Sequence, residues 1–201
     1  MPAATLSAMG DYFQTIVDLD AGADEAAPLA DRAVGWLVAE GIVLAERTGC
    51  VLGEPLGHPP GLNWHRAVAE EDTDWKPSDG LAVEVGRTVF DGGQGEPEAV
   101  TCPRCAATTS LVTDGWEPID EIWRPFGGAM DEWQRTGSAQ VACPACAEPV
   151  PLPEWRWADD YFAFAHLGFT FWNWPEFTPD FQSRFSRALG GHRTRLVWGK
   201  L

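Results

Sequence analysis

The stretch YFQTIVDLD (12–20) sets Phe13, Thr15, Val17 and Leu19 against Tyr12, Gln14, Ile16 and Asp18, a period of two that predicts a strand. In ADEAAPLADRAVGWLVAEG (23–41) the period lengthens. Acidic residues open the segment, Leu29, Ala33, Trp36 and Leu37 fall on one helical face, and Gly41 closes it. GIVLAER reads as a strand or extended segment. Residues 53–80 are rich in Pro and Gly, which forbids long regular structure. LAVEVGRTVFD (81–91) is a strand, followed by the turn GGQGEP. LVTDGWEPIDEIWRPFGGAMDEWQRTG predicts a helix broken at Pro125 and Gly127-Gly128.

YFAFAHLGFTFWNW (161–174) is apolar on both faces, the pattern of a strand covered on two sides. TPDFQSRFSRALGG predicts a helix capped by Thr178, with Pro179 at its first position, a stripe of Phe181, Phe185 and Leu189, and Gly190 at its end. HRTRLVWGK (192–200) alternates again, with Thr194, Leu196 and Trp198 predicted inward and Arg193 and Arg195 outward. Both ends of the chain therefore read strand, helix, strand. That order predicts an α+β fold, a ferredoxin-like β-α-β…β-α-β core with a module inserted between its halves. The expected units are 1–98, 99–152 and 153–201.

The inserted stretch carries TCPRCAATT (101–109) and VACPACAEP (141–149). Two residues between cysteines let one tight turn aim both sulfurs at a common point, and two such turns complete a tetrahedron around a metal ion. Cys102, Cys105, Cys143 and Cys146 are the expected ligands. CPRC and CPAC resemble the zinc ribbon family over residues 99–152, which implies a structural Zn²⁺ on two knuckles, with rubredoxin-like iron as the other metal. Gly usually follows such a knuckle, whereas Ala106 and Ala147 stand here. The 37 residues between Cys105 and Cys143 exceed the ~15–20 of a compact ribbon, so a helical excursion must be looped out. Four thiolates leave no open position for water, which marks the site as structural.

Composition changes the picture in two ways. Eleven Trp and ten Phe against two Tyr make indole a major apolar material. The net charge is −16, and five of the fourteen Lys/Arg lie after residue 183 with none of the thirty Asp/Glu. Such a chain is a poor general binder of nucleic acid and suits a basic protein partner. The basic tail is expected to pair with acidic neighbours of its own chain. No stretch approaches the ~18 apolar residues of a membrane span. The start, MPAATLSAMGDY, lacks the pattern of a secretory leader, so the cytoplasm is expected, and the Ala, Gly, Pro, Arg and Trp usage is that of a high-GC bacterium.

Other chemistry is thin. Cys50 reads as a small buried hydrophobe. His58 and His65 with Glu70, Glu71, Asp72 and Asp74 are a candidate acid/base or metal cluster, weighed against a solvated acidic loop. His166 reads as a core residue, and Asp159-Asp160 as neighbours that point apart. No GxSxG, P-loop, dinucleotide fingerprint or HExxH is present. Trp116, Trp123, Trp133 and Trp155 each stand beside carboxylates, the arrangement of aromatic anchors with an acidic rim. The expected function is a non-enzymatic acidic binding protein, similar in size and charge to bacterial immunity proteins that mask a toxin. The alternatives are a zinc-ribbon regulator of a nucleic-acid enzyme and an enzyme with a dispersed site.

Overall fold

A computed structural model describes residues 10–53 and 56–201, apart from the side chain of Glu70. The leader reading of residues 1–9, the loop reading at Glu54-Pro55 and the role considered for Glu70 lie outside the described residues. The chain is mixed α and β. Its main sheet joins β1 (Tyr12–Asp18), β2 (Leu81–Asp91), β8 (Phe162–Trp172) and β9 (Thr194–Lys200) in the order β2-β8-β1-β9, each neighbouring pair antiparallel. Helix α1 (Ala23–Ala39) follows β1, and α3 (Pro179–Ala188) follows β8. Between β2 and β8 lie short strands β3 (Ala99–Thr101) and β4 (Thr108–Ser110), helix α2 (Asp120–Thr136), then β5 (Gln140–Ala142), β6 (Pro149–Pro151) and β7 (Arg156–Trp157).

One face of the sheet carries Ile16, Leu81, Leu167, Phe169 and Phe171, and both α1 and α3 pack there through Leu29, Ala33, Leu37, Phe181 and Phe185. The Thr178 hydroxyl accepts from the Phe181 amide at 3.1 Å, so the cap read from the sequence is made. The opposite face holds a polar seam, with the Thr15 and Thr170 hydroxyls 2.9 Å apart and Thr170 donating to Glu84 at 3.2 Å. A bulge breaks the β2–β8 register between Val85 and Thr88, where Gly86 has φ +127°. Beyond it, Phe162 and Phe164 of β8 leave the helical core and join a second cluster built on α2 and the short strands. That second cluster also takes Trp155 and Trp157, past the expected boundary at residue 152.

Helix α2 runs unbroken for 17 residues through Pro125, Gly127 and Gly128. Its buried stripe of Phe126, Ala129 and Trp133 explains why, since docking one face outweighs poor local propensity. Phe126 meets Trp155 and Trp157 edge-on at 5.0 and 5.1 Å. At its far end Arg87, from the bulge, donates to the Gln134 carbonyl at 3.2 Å and ties the helix C-terminus to the sheet. GIVLAER forms no strand; isolated bridges Val43–Pro60 and Thr48–Gly57 hold it extended. Trp198 is 63% exposed, contrary to its expected inward position. Its register partner Gln14 lies on the helix-bearing face, but β9 is an edge strand and no residue of α1 or α3 lines the space beside Trp198.

The basic tail is largely paired. Arg184 meets Asp180 and Glu40, Arg193 meets Asp20, and Arg195 meets Asp160. No described helix is long and apolar enough to cross a membrane.

Candidate metal centre

Each CPxC sequence is the turn of a hairpin, Cys102–Cys105 between β3 and β4 and Cys143–Cys146 between β5 and β6. The two turns close alike. The Ala106 amide donates to the Cys102 carbonyl at 3.0 Å and the Ala147 amide to that of Cys143 at 2.8 Å. Further amides reach the sulfurs themselves: Arg104 N–H lies 3.4 Å from Cys102 Sγ, and Ala145 N–H 3.4 Å from Cys143 Sγ. Such donors favour the thiolate. Ala106 and Ala147 have φ of +60° and +61°, so the positions where glycine is usual keep the left-handed conformation without it.

All four sulfurs lie within 4.8 Å of one another, and Cys105 Sγ stands 3.8 Å from Cys143 Sγ. A tetrahedron with metal–sulfur bonds of about 2.3 Å has an edge of about 3.8 Å. The first cysteine of each pair is buried and backs onto the module's core, while Cys105 is exposed and Cys146 half-buried. Crowding separates their acidities. Cys143, served by the amides of Cys146 and Ala145, is held down to about 7. Cys146 receives the amide of Glu148, but burial and the three neighbouring thiols outweigh it and push the group up to about 12. A divalent cation bound among the four sulfurs would resolve that conflict, since it binds thiolates. Arg104, within the first knuckle, pairs with Glu154 at 2.8 Å, which ties that turn to the segment after the second.

The other candidate residues are scattered. Among the described residues the four cysteines are the only group of three or more His, Cys, Asp or Glu placed to share an ion. The described members of the acidic-loop cluster do not form such a group, and His58 is engaged with the Leu44 carbonyl at 2.9 Å. Cys50 is half-buried rather than fully buried. His166 lies near the Trp133 ring at 6.4 Å, and Asp160 faces Arg195.

The four tryptophans divide. Trp133 and Trp155 are 4% and 1% exposed and belong to the module's core, which corrects their reading as surface anchors. Trp123 is half-buried and stacks on Trp157. Trp116 is 67% exposed, at the tip of a turn with φ +64°. The short apolar module needs indoles inside, so an acidic neighbour in sequence did not distinguish core from surface. Outside those four, Tyr12, Trp75 and Trp198 are exposed aromatics. Trp75, in DTDW, also stands beside carboxylates in sequence, whereas Tyr12 and Trp198 carry no signal beyond their position at strand ends.

No protein-family model matches this chain, and neither a curated protein nor a solved structure matches it.

Proposed function

We propose that this chain is a non-enzymatic, acidic binding protein of the bacterial cytoplasm that masks a basic protein partner, in the manner of immunity or antitoxin proteins. Zn²⁺ on Cys102, Cys105, Cys143 and Cys146 holds the module that faces the partner. In this reading the core is ferredoxin-like, supported by the all-antiparallel order β2-β8-β1-β9 with α1 and α3 on one face. The module is a zinc-ribbon-like insertion, supported by its two matched knuckles.

The observation that carries the reading is Trp116. A bulky residue at positive φ is strained, and strain of this kind gathers at functional positions. The turn holds it by hydrogen bonds from Trp116 N–H to the Thr113 carbonyl at 2.9 Å and from Glu117 N–H to the Thr113 hydroxyl at 3.2 Å. Asp114, Glu117, Asp120 and Glu121 surround it in sequence. The result is an outward indole with an acidic rim, on a chain of net charge −16. The regulator alternative loses its basic strip, because Arg184, Arg193 and Arg195 are engaged by carboxylates.

The test is pull-down from native extract with the parent and Trp116→Ala. The expected result is a basic protein held by the parent, associating more slowly as salt rises, and released by the variant. An acidic or nucleic-acid partner, or equal retention by the variant, overturns the reading. Metal analysis of protein purified without added zinc should find about one Zn²⁺ per chain. Iron in its place changes the metal assignment alone.

A further inference from the structure

Beside the edge strand β9, Tyr12, Trp75, Trp174, Glu176, Leu196 and Trp198 line a cleft of about 500 Å³ to which neither α1 nor α3 contributes a residue. The size falls in the ~300–1,000 Å³ range of small-molecule sites. Three of these aromatics are unusually open: Tyr12 is 38%, Trp75 57% and Trp198 63% exposed. They come from β1, from the loop before β2 and from β9, so the tertiary fold alone brings them together.

Chemistry of the lining selects the ligand. Gln14, the one amide in the cleft, is already spent. It donates to the carbonyls of Trp174 and Pro175 at 3.2 and 2.8 Å and accepts from the Phe177 amide at 3.2 Å. The Trp174 indole N–H is likewise taken, by the Asp79 carbonyl at 2.9 Å. A sugar or other neutral polyol could use the Tyr12 hydroxyl and the Trp75 and Trp198 indole N–H groups, which have no hydrogen-bond partner among the described residues, but would leave the Glu176 charge unmatched. An anion would meet Glu176. That carboxylate is exposed and has no ion pair or hydrogen bond among the described residues. Ring faces beside an unpaired carboxylate are what an organic cation requires. The chain itself supplies an example at the rim, where the Lys200 ammonium sits 5.2 Å from the centre of the Tyr12 ring.

We propose that this cleft binds an organic cation, an alkylammonium or guanidinium group seated between Trp75 and Trp198 and neutralised by Glu176. The proposal rests on the cleft and is independent of the Trp116 surface and of the masking role.

Calorimetric titration of the whole protein with choline, with its uncharged carbon isostere 3,3-dimethylbutan-1-ol, and with N-acetylarginine amide decides it, alongside the indole N–H resonances of Trp75 and Trp198. The expected result is saturable cation binding that moves those two resonances, with the isostere weaker by about fivefold or more. Trp198→Ala and Glu176→Gln, both at exposed positions, should each weaken the cation while leaving the fold and metal content intact. Tighter binding of the arginine derivative would identify a protein side chain as the source of the cation, and tighter choline binding a small metabolite. Equal affinity for the isostere, no saturation by either cation, or unchanged binding in both variants would overturn the proposal.

Discussion

The sheet-and-helix core and the cysteine module bury comparable kinds of apolar side chain, yet they are held by different means. In the first, strands of 7 to 11 residues and helices of 17 and 10 interlock through Phe169, Phe171, Phe177, Phe181 and Phe185. Gln14 there meets three backbone groups and Trp174 donates to Asp79, while the Trp172 indole N–H of β8 and Arg87 Nε of β2 are buried without a partner among the described residues. In the second, the strands have two or three residues each, and the helix carries a proline and two adjacent glycines. The indole N–H groups of Trp123, Trp155 and Trp157 are buried there without an acceptor among the described residues. An unmatched buried donor costs about 1–3 kcal/mol. Regular secondary structure can stabilise the first region by itself. The second borrows residues of β8 and brings together four cysteines that could hold a metal ion.

Metal removal is the strongest way to break that comparison. Structural zinc sites contribute on the order of 10–16 kcal/mol in isolated fingers. Chelation, or Cys143→Ser, should therefore melt the module, stripping hydrogen-exchange protection from β3 to β6 while β1 and β8 keep theirs. Simultaneous loss everywhere would show one cooperative unit instead of two. The converse substitution, Phe185→Ala, removes a fully buried ring that meets Phe169 at 4.9 Å and Trp36 at 5.8 Å. Denaturant unfolding should register a loss of about 3–5 kcal/mol, with metal content unchanged.

Glu84 sharpens the contrast on the sheet side. Burial raises its carboxyl from the ordinary 4.5 to about 7, against the opposing hydrogen bond from Thr170. Below 4.5 the group is protonated in folded and unfolded chains alike. Between 4.5 and about 7 only the unfolded chain ionises, so stability falls as pH rises, and the loss is complete above 7. Glu84→Gln keeps a hydrogen-bonding partner for Thr170 without the charge. It should stabilise the protein at pH 8 by at most about 3 kcal/mol and have little effect at pH 4, as read by thermal melts.

The smallest expected effect lies in α2. A Cβ at Gly127 or Gly128 would meet nothing within 4 Å. Gly127→Ala and Gly128→Ala should each stabilise by about 1 kcal/mol, because alanine is the better helix former and an open position imposes no clash. Destabilisation by either would show that the chain packs more closely at that position than the open space around it implies.

Much of this architecture could be read from local pattern. Period-two and helical stretches located β1, α1, β2, β8, α3 and β9, because each element carries its own apolar stripe or caps. Thr178 and Gly190 mark the ends of α3, and Gly190 takes φ +84° as a closing residue should. The cysteine spacing named all four sulfurs that converge, since ligand pairs two residues apart are geometry written in the chain.

What pattern could not supply was decided by packing between distant segments. Pro125 and Gly127-Gly128 look like breaks until Phe126, Ala129 and Trp133 find Trp155, Trp157 and Phe164 to bury against. Trp133, Trp155 and Trp116 share acidic neighbours in sequence, yet two are core and one is surface. The cleft of Tyr12, Trp75 and Trp198 forms beside the edge strand β9, where neither helix contributes to the lining and side chains of a core-facing register stand open to solvent. Local sequence determines which side chains share a face. Only the tertiary structure determines how far the covering layer reaches, and therefore which of them water, or a ligand, can touch.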